Sequence, residues 1–410
     1  MKFSLLAVAT AATATCSRRV KTGLDVLIEK NYAQLTGKKV LILTNPTGVT
    51  PQLDLGVDVD LVGVMGPEHG FRGTFVDEKT GLTVYGAYMA NTTELMGFIE
   101  DSGADTVLFD IQDVGARFYT YLDVWVMYGA MVAAAKKQAS FVVLDHPNPI
   151  TGLNAFGPVL NESFVTSYVG RRAIAQSHGM TVGERARPHV HSEAADGSSL
   201  SLNVVRMENW QRWMTFHDTG LPWVMPSPNM PTVDTTMLYP GTCMFEGVSL
   251  SEGRDTTRPF ELLGAPWGNE SWVSAMRELN IANTQYRFQC FTPMANDFQG
   301  KVSCGLQTYT NLRSVEELEE FDAPYVGVSL LYTARKLYTV GNTTGDEPTT
   351  GAFHWLYSKA DGTVYNVDLL TGSPLIRQGI EDGLTPEEIR DAWLPRLDKF
   401  KEKRKKYLLY

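Results

Sequence analysis

Four short apolar runs, each of four or five residues, lie within the first 150 residues of this chain and alternate with segments of helical periodicity. Uninterrupted apolar runs of this length are typical of parallel strands covered by helices on both faces. The pattern therefore predicts an α/β fold, with roughly the first 200 residues forming an open, doubly wound, Rossmann-like sheet. The predicted strands are 40–44, 61–65, 106–109 and 141–144, and the predicted helices include 23–35 and 124–139.

Each predicted strand is followed by a polar loop that contains Gly, Pro, Asn or Asp. These residue types favour turns whether or not they bind a ligand, so any single loop has a purely structural explanation. In a doubly wound sheet, however, ligands bind outside the carboxyl ends of the strands. Four consecutive loops that present carboxylates or amides at that edge favour a binding site. The loops read NPTG (45–48), GPEHG (66–70), DIQD (110–113) and DHPNP (145–149).

A proline-rich connector, LPWVMPSPNMP at 221–231, marks a change in the sequence because it cannot be helical. We expect a Rossmann-like catalytic domain at 20–232 and a smaller α+β domain at 233–410. The chain has only four cysteines, at positions 16, 243, 290 and 304, and none has zinc-site spacing. We therefore expect at most one disulfide, and Cys290–Cys304 is the favoured pair.

The amino terminus has the pattern of a secretory signal peptide, because MKFSLLAVATAATAT places one lysine before an apolar, small-residue run. We expect residues 1–19 to be this signal peptide and the mature protein to be secreted or periplasmic. Lipid anchoring at Cys16 is not expected, because the large aliphatic residue usual at the third position before such a cysteine is missing. No later apolar stretch is long enough to predict a transmembrane segment.

The net charge of −10 repels polyanions, so no nucleic acid partner is expected. Motifs of other enzyme classes are missing from the sequence, namely the GxSxG nucleophile elbow, the GxxxxGK[ST] phosphate loop and the HExxH zinc motif. His189 and His191 lack a third nearby ligand, and Cys243 lacks a plausible base. Neither a metal nor a cofactor is predicted.

Glu68 is the strongest single catalytic candidate. It lies in GPEHGFRG, directly after a predicted strand, next to His69 and four residues before Arg72. A carboxyl group in a partly dry cleft can donate a proton near neutral pH, and an adjacent imidazole or guanidinium can tune it. The alternative is a structural loop in which Glu68 pairs with Arg72.

A second cluster of candidate residues lies in FDIQDVGARFYTY. Carboxylates accept pairs of hydroxyl hydrogen bonds and aromatic faces stack on sugar rings, so this set suits a polyhydroxylated ligand. The alternative is a structural Asp–Arg pair with tyrosines in the core. The candidates are Asp110, Asp113, Arg117, Tyr119 and Tyr121.

A third cluster spans PSPNMPT and the Gly-, Arg- and Glu-rich segment that follows it. Such a composition is not typical of a hydrophobic core and favours a long binding loop. The alternative is a solvated connector. Its candidate residues are Asn229, Glu246, Glu252 and Arg254.

Taken together, these motifs resemble the NamZ family of exo-β-N-acetylmuramidases. The resemblance runs from about Thr22 to Tyr410 and includes MGPEHGFRG, VLFDIQDVGARFYTY, FVVLDHPNPITG, TGLPWVMPSPNMPT and YPGTCMFEGVSLSEGRDTTRPFELLGAPW. It implies a glycoside hydrolase whose active site lies between a Rossmann-like domain and a smaller C-terminal domain. Family members release N-acetylmuramic acid from the non-reducing ends of peptidoglycan fragments.

The family's essential glutamate matches Glu68, which would act as general acid/base, with His69 beside it. The other candidate residues match shared strings and are expected in the substrate site, where Arg72 or Arg254 would bind the lactyl carboxylate of muramic acid. The resemblance implies peptidoglycan-derived glycans as the substrate. Two alternatives are a weakened, carbohydrate-binding member of the family and a hydrolase of another N-acetylated amino sugar.

The sequence departs from the family pattern in two places. Only residues 74–78 stand between GFRG and KTGLTVYG, where family members carry a longer acidic stretch, so the subsite beside Glu68 is expected to differ. RARPHVHS, at 185–192, replaces an expected helical run, and Pro188 is expected to interrupt any helix there.

Overall fold

Six parallel strands form the central sheet in the computed structural model of the protein. Their spatial order is β3-β2-β1-β4-β5-β8, so the chain adds strands outward from β1 in one direction and then, from β4, in the other. This reversal places a topological switch point between β1 and β4. The strands are β1 (Val40–Thr44), β2 (Leu61–Gly66), β3 (Val84–Gly86), β4 (Thr106–Asp110), β5 (Ser140–Leu144) and β8 (Leu202–Val205), with a hairpin of β6 (Phe156–Val159) and β7 (Ala175–Ser177) between the last two.

The structure describes residues 19–50, 52, 59–70, 81–122, 126–165, 169–190, 199–339, 352–358 and 362–410. Within these ranges, no helix is both long and apolar enough to cross a membrane. Several features predicted from the sequence lie outside the described residues. They are the signal peptide up to residue 18 with Cys16, Arg72, the 74–78 loop and His191.

The helices of the first half cover the sheet, and side-chain caps satisfy the backbone N–H groups at the starts of α1 and α2. The Asn91 side chain accepts hydrogen bonds from the N–H groups of Thr93 and Glu94 at the start of α2. The first helix is shorter than expected and ends at Glu29, because Asn31 and Tyr32 adopt left-handed backbone angles, with φ of 48° and 54°. The helices are α1 (Gly23–Glu29), α2 (Thr92–Ser102), α3 (Val126–Lys137) and α4 (Val182–Val190).

The second half combines helices with a three-stranded antiparallel sheet of order β10-β11-β9. Cys290 and Cys304 face each other across β10 and β11 and form the expected disulfide, so that prediction is confirmed. The elements are α5 (Val233–Thr242), β9 (Leu262–Ala265), α6 (Ser271–Glu278), β10 (Thr284–Phe291), β11 (Ser303–Thr310), α7 (Val315–Glu320), α8 (Ala323–Tyr338), α9 (Asn366–Thr371), α10 (Leu375–Glu381) and α11 (Pro386–Arg404).

The predicted fold class is confirmed in both halves, whereas the exact domain limits stay predictions. The two halves share their apolar cores. Val159 and Ala175 of the β6–β7 hairpin pack with the core of the second half, and the hairpin contacts α8 and α11. Conversely, Tyr239 and Phe260 of the second half pack with the core beneath the parallel sheet. A continuous apolar interface therefore joins the halves and positions the loops between them.

Pro188 lies inside α4, which continues to Val190, so the expectation that it interrupts the helix is wrong. A proline removes one N–H donor, and here the loss falls in the last turn. Tertiary contacts hold this helix. Arg212 Nη1 donates to Glu184 Oε1 at 2.8 Å, and Arg187 Nη1 donates to the carbonyl of Tyr407 at 2.6 Å.

The C-terminal residue returns to the carboxyl end of β5. The Tyr410 hydroxyl donates to Asp145 Oδ2 at 2.7 Å and accepts from the N–H of Met207 at 2.7 Å. Asp145 also accepts from the Thr181 hydroxyl at 2.9 Å and the Gly183 N–H at 2.7 Å. Burial raises the pKa of Asp145 to about 6, although these donors favour the carboxylate. Tyr410 therefore provides a hydrogen-bond donor to the buried carboxylate of Asp145 at the edge of the sheet.

Tyr410→Phe should lower the free energy of unfolding by about 1–3 kcal/mol, because it leaves a carboxylate oxygen and a backbone N–H without this partner. Urea unfolding at pH 7 measures the change. Tyr407→Phe is the matched control, because the Tyr407 hydroxyl forms no hydrogen bond with the described part of the chain. Equal stability of Tyr410→Phe and Tyr407→Phe would show that the hydroxyl contact contributes nothing.

Candidate active site

Glu68 lies just beyond the carboxyl end of β2, in a turn closed by a hydrogen bond from the Gly70 N–H to the Pro67 carbonyl at 2.8 Å. His69 and Gly70 both adopt left-handed angles, with φ of 69° and 70°. Such a turn carries the chain sharply away from the sheet edge. It leaves the Glu68 side chain half-buried and the His69 side chain exposed.

Hydroxyl groups from two other loops hold Glu68. Thr120 Oγ1 donates to Glu68 Oε2 at 2.7 Å, and the Tyr121 hydroxyl donates to the Glu68 carbonyl at 3.3 Å. The Tyr88 hydroxyl also bonds to the Glu68 side chain, and burial followed by the charge of Glu68 raises the pKa of Tyr88. The carboxylate thus has a defined orientation and one partly open face.

A cavity of about 190 Å³ opens beside Glu68 and extends toward the second half of the chain. Its wall brings together candidates from all three sequence clusters. Phe118, Tyr239 and Leu370 add apolar and aromatic surface. The sequence candidates on this wall are Glu68, His69, Tyr119, Tyr121, Asn229, Glu246 and Arg254.

Arg254 lies between two carboxylates in the wall contributed by the second half. It forms an ion pair with Glu246, and its Nε lies 2.9 Å from Glu252 Oε1. Glu252 is only 1% exposed, and Asn296 Nδ2 donates to it at 3.0 Å. Burial, with the nearby charge of Glu246, raises the pKa of Glu252 to about 7. The guanidinium also lies over the Phe260 ring, 5.0 Å from its centroid.

The Asn229 side chain is hydrogen-bonded to Asp255, which lies in the same loop as Arg254. Its Nδ2 donates to Asp255 Oδ1 at 3.0 Å, and its Oδ1 accepts from the Asp255 N–H at 2.7 Å. The proline-rich connector and the Arg254 loop are therefore linked directly at the mouth of the cavity.

Asp110, Asp113 and Arg117 do not line the cavity. Asp110 Oδ1 lies 2.7 Å from His146 Nε2, and Asp113 Oδ2 lies 3.3 Å from His178 Nε2. All three candidate side chains are buried, and Arg117 Nη2 donates to the carbonyl of Leu370 at 2.7 Å. The aspartates thus contact histidines, which fits neither the expected place in the substrate site nor the alternative of a structural Asp–Arg pair. The three buried side chains support the loops around the cavity.

Four further cavity residues that carry a hydroxyl group were not predicted from the sequence. Thr120 stands between two predicted tyrosines, and its position in that motif was an available signal. Tyr88, Ser227 and Tyr239 come from other segments and carried no comparable signal. Burial raises the pKa of Tyr239 well above its ordinary value, so this phenol stays neutral.

Two glutamates and an arginine facing aromatic side chains, at the end of a doubly wound sheet, define a carbohydrate-processing site. Comparison with known proteins agrees with this class. The family model for the N-terminal part of exo-beta-N-acetylmuramidase NamZ matches residues 40–234 of this chain, and the family model for the C-terminal part matches residues 237–410. The chain belongs to the NamZ family of glycoside hydrolases, which confirms the resemblance found in the sequence.

The chain is similar to the peptidoglycan beta-N-acetylmuramidase NamZ of Bacillus subtilis (strain 168). The two are 37% identical over 409 residues, which cover 96% of this chain and 92% of that protein. It also resembles two crystal structures of DUF1343 family proteins from Bacteroides fragilis NCTC 9343. One has a TM-score of 0.82 at 30% identity and covers 96% of this chain and 99% of that one. The other has a TM-score of 0.70 at 27% identity and covers 95% of this chain and 99% of that one.

Arg254→Met should lower the free energy of unfolding at pH 8 by roughly 2 kcal/mol, because it leaves the buried, ionised Glu252 without its counter-charge. Urea unfolding measures this loss. The double variant Arg254→Met/Glu252→Gln should recover much of it, because the uncompensated charge is then gone. A double variant as unstable as Arg254→Met would instead assign the effect to lost packing over Phe260.

Proposed function

We propose that this protein is an exo-acting hydrolase that releases N-acetylmuramic acid from the non-reducing ends of peptidoglycan-derived glycan fragments. Glu68 is its general acid/base. The observation that carries the proposal is the position of Glu68, whose carboxylate faces a cavity of single-sugar size while hydroxyl groups orient it. Membership of the NamZ family supports the same reaction.

Glycoside cleavage needs an acid that protonates the leaving oxygen. Glu68 suits this step because it is half-buried yet accessible from the cavity. The developing oxocarbenium ion then needs a second group, which is either a carboxylate or the 2-acetamido group of the substrate. Glu246 is the second carboxylate of this wall, and its ion pair with Arg254 holds it in place.

The size of the cavity supports exo action. At about 190 Å³ it is smaller than the roughly 300–1,000 Å³ of sites for drug-sized ligands, so it suits one sugar unit rather than a glycan strand. Phe118, Tyr239 and Leu370 form apolar wall against which a sugar ring can pack. A terminal sugar would enter this cavity while the rest of the glycan stays outside.

Arg254 is the proposed partner of the lactyl carboxylate that distinguishes muramic acid from glucosamine. It is the cation in the described wall of the cavity, and its side chain is 25% exposed. A guanidinium binds carboxylates through paired N–H donors. Glu246 and Glu252 already compete for this cation, so the protonation of Glu252 controls its availability to substrate.

We also propose that residues 1–19 direct export, so that the mature enzyme is secreted or periplasmic. This location agrees with a substrate released from the cell wall. The proposal rests on the lysine and the apolar run at the amino terminus.

Glu68→Gln should reduce the release of N-acetylmuramic acid from peptide-free glycan fragments by about a thousandfold, because the glutamine amide cannot protonate the leaving oxygen. Product analysis over time measures the release, and the monosaccharide should be the first product from the wild type. The exposed Glu278→Gln variant is the control for loss of a surface carboxylate.

Near-normal release by Glu68→Gln would overturn the assignment of the acid, and early oligosaccharide products would overturn exo action. Binding of N-acetylmuramic acid without any turnover by the wild type would favour a carbohydrate-binding protein. Preferential cleavage of glucosaminides would favour a hydrolase of another amino sugar.

The inhibition constant of N-acetylmuramic acid should rise roughly three- to tenfold between pH 6 and pH 8. Burial raises the pKa of Glu252 to about 7, so this acid is protonated below that pH and adds a negative charge beside Arg254 above it. Competitive inhibition assays against a chromogenic substrate measure the constant.

N-acetylglucosamine is the matched control because it lacks the lactyl carboxylate, and its inhibition constant should change little. Glu252→Gln should remove the pH dependence for N-acetylmuramic acid. An unchanged rise in that variant would assign the titration to another group.

A further inference from the structure

Tyr88 leaves the parallel sheet beside Glu68 because their strands are neighbours in register. Gly66, at the carboxyl end of β2, pairs with Gly86, at the carboxyl end of β3. Glu68 and Tyr88 each follow two residues later. The Ala87 N–H donates to the Gly66 carbonyl at 2.8 Å, which extends the contact between the two segments beyond the strands. The sheet itself therefore holds Tyr88 next to the proposed acid.

The Tyr88 side chain contacts Glu68 at one end and is open to solvent along the rest. Its hydroxyl is hydrogen-bonded to the Glu68 side chain, whereas the residue as a whole is 52% exposed. Of the described residues that line the cavity beside Glu68, only His69 and Tyr88 are exposed. Tyr88 is therefore the aromatic residue at the rim. The other aromatic residues of the described lining are buried, and they are Phe118, Tyr119, Tyr121, Tyr239 and Phe260.

The proposed reaction constrains where the leaving sugar lies. A general acid protonates the glycosidic oxygen from hydrogen-bond distance, so this oxygen lies about 3 Å from the Glu68 carboxylate. The cavity of about 190 Å³ suits one sugar, so the sugar on the other side of this oxygen lies outside, at the rim. The Tyr88 hydroxyl contacts the same carboxylate, and the exposed Tyr88 ring lies at the same rim. The leaving sugar and this ring therefore occupy adjacent space.

We propose that Tyr88 forms a subsite for the leaving sugar, in which its ring packs against the pyranose next to the scissile bond while its hydroxyl orients Glu68. The matching ligand is a pyranose with an apolar C–H face, because such a face packs on an aromatic ring. This subsite rests on the proposed hydrolysis and adds to it a residue that binds the second sugar of the substrate.

Met89 provides a comparison on the same turn. A single exposed apolar side chain is ordinary on a protein surface and needs no ligand. Met89 follows Tyr88 directly and is 53% exposed, but it is not among the described residues that line the cavity. The proposal therefore predicts that two neighbouring and equally exposed side chains differ in their effect on substrate binding.

Binding of two sugars to the full chain tests the subsite. A Glu68→Gln background keeps the disaccharide N-acetylmuramyl-β-1,4-N-acetylglucosamine intact, and N-acetylmuramic acid is the second ligand. In this background, Tyr88→Ala should raise the Kd of the disaccharide by about three- to tenfold, because the stacking surface is lost. The Kd of N-acetylmuramic acid should stay unchanged, because this sugar binds inside the cavity. Isothermal titration calorimetry measures both constants.

Two further variants in the same background separate the ring from its surroundings. Tyr88→Phe keeps the ring and should retain the affinity for the disaccharide. Met89→Ala is the matched control and should change neither Kd. Thermal unfolding of each variant checks that it is folded.

The orienting role of the hydroxyl has a separate kinetic test. In the otherwise wild-type chain, Tyr88→Phe should lower kcat for the disaccharide by roughly three- to tenfold with little change in KM. The loss is partial because Thr120 still donates to the Glu68 carboxylate. An unchanged kcat would overturn the orienting role.

Three results would overturn the subsite. One is undiminished binding of the disaccharide to Tyr88→Ala. Another is an equal loss of affinity for both sugars, which would show a general disturbance of the cavity. The third is an equal loss in Met89→Ala. Failure of the proposed function is recognised separately, because the disaccharide would then be cleaved in the Glu68→Gln background.

Discussion

Buried carboxylates at the carboxyl edge of the parallel sheet each need a donor, and this requirement connects distant parts of the chain. Asp110 contacts His146 from the next strand end, and Asp145 accepts from Tyr410 at the end of the chain. An acid left unpaired there would be costly, because the surrounding core is dry. The C-terminal tail is therefore part of the first half's edge. The loops that frame the cavity beside Glu68 rest on this edge.

The site does not occupy the usual ligand crevice of a doubly wound sheet. At the switch point between β1 and β4, the proline-rich connector covers the strand ends. Asn45 Nδ2 and the Tyr121 hydroxyl both donate to the Pro226 carbonyl, at 3.4 Å and 2.8 Å. The cavity that remains beside His146 and Pro222 measures about 30 Å³, which is too small for a nucleotide. With the switch point covered, the larger cavity lies at the end of β2, where Glu68 is placed.

The strands and the position of Glu68 could be predicted from the sequence because both depend on local pattern. Continuous apolar runs identify buried parallel strands, and Glu68 lies two residues beyond one of them. The orientations of Asp110 and Asp113 could not be predicted, because distant histidines decide them. Tyr239 comes from a helix that is buried at every position except Asp234, so its periodicity did not mark which residue reaches the cavity. Pro188 was misjudged because tertiary contacts sustain α4 beyond it.

The net charge of −10 does not describe the field at the cavity beside Glu68. At physiological salt, exposed charges are screened beyond about 8 Å, whereas buried pairs are screened much less. Arg254 therefore acts on a ligand through its own surroundings. Around Arg254 two glutamates offset the cation, and the protonation of Glu252 decides the local balance. In the proposed function, a chain of negative net charge thus presents one cation to an anionic ligand, and the protonation of Glu252 sets how strongly that cation attracts it.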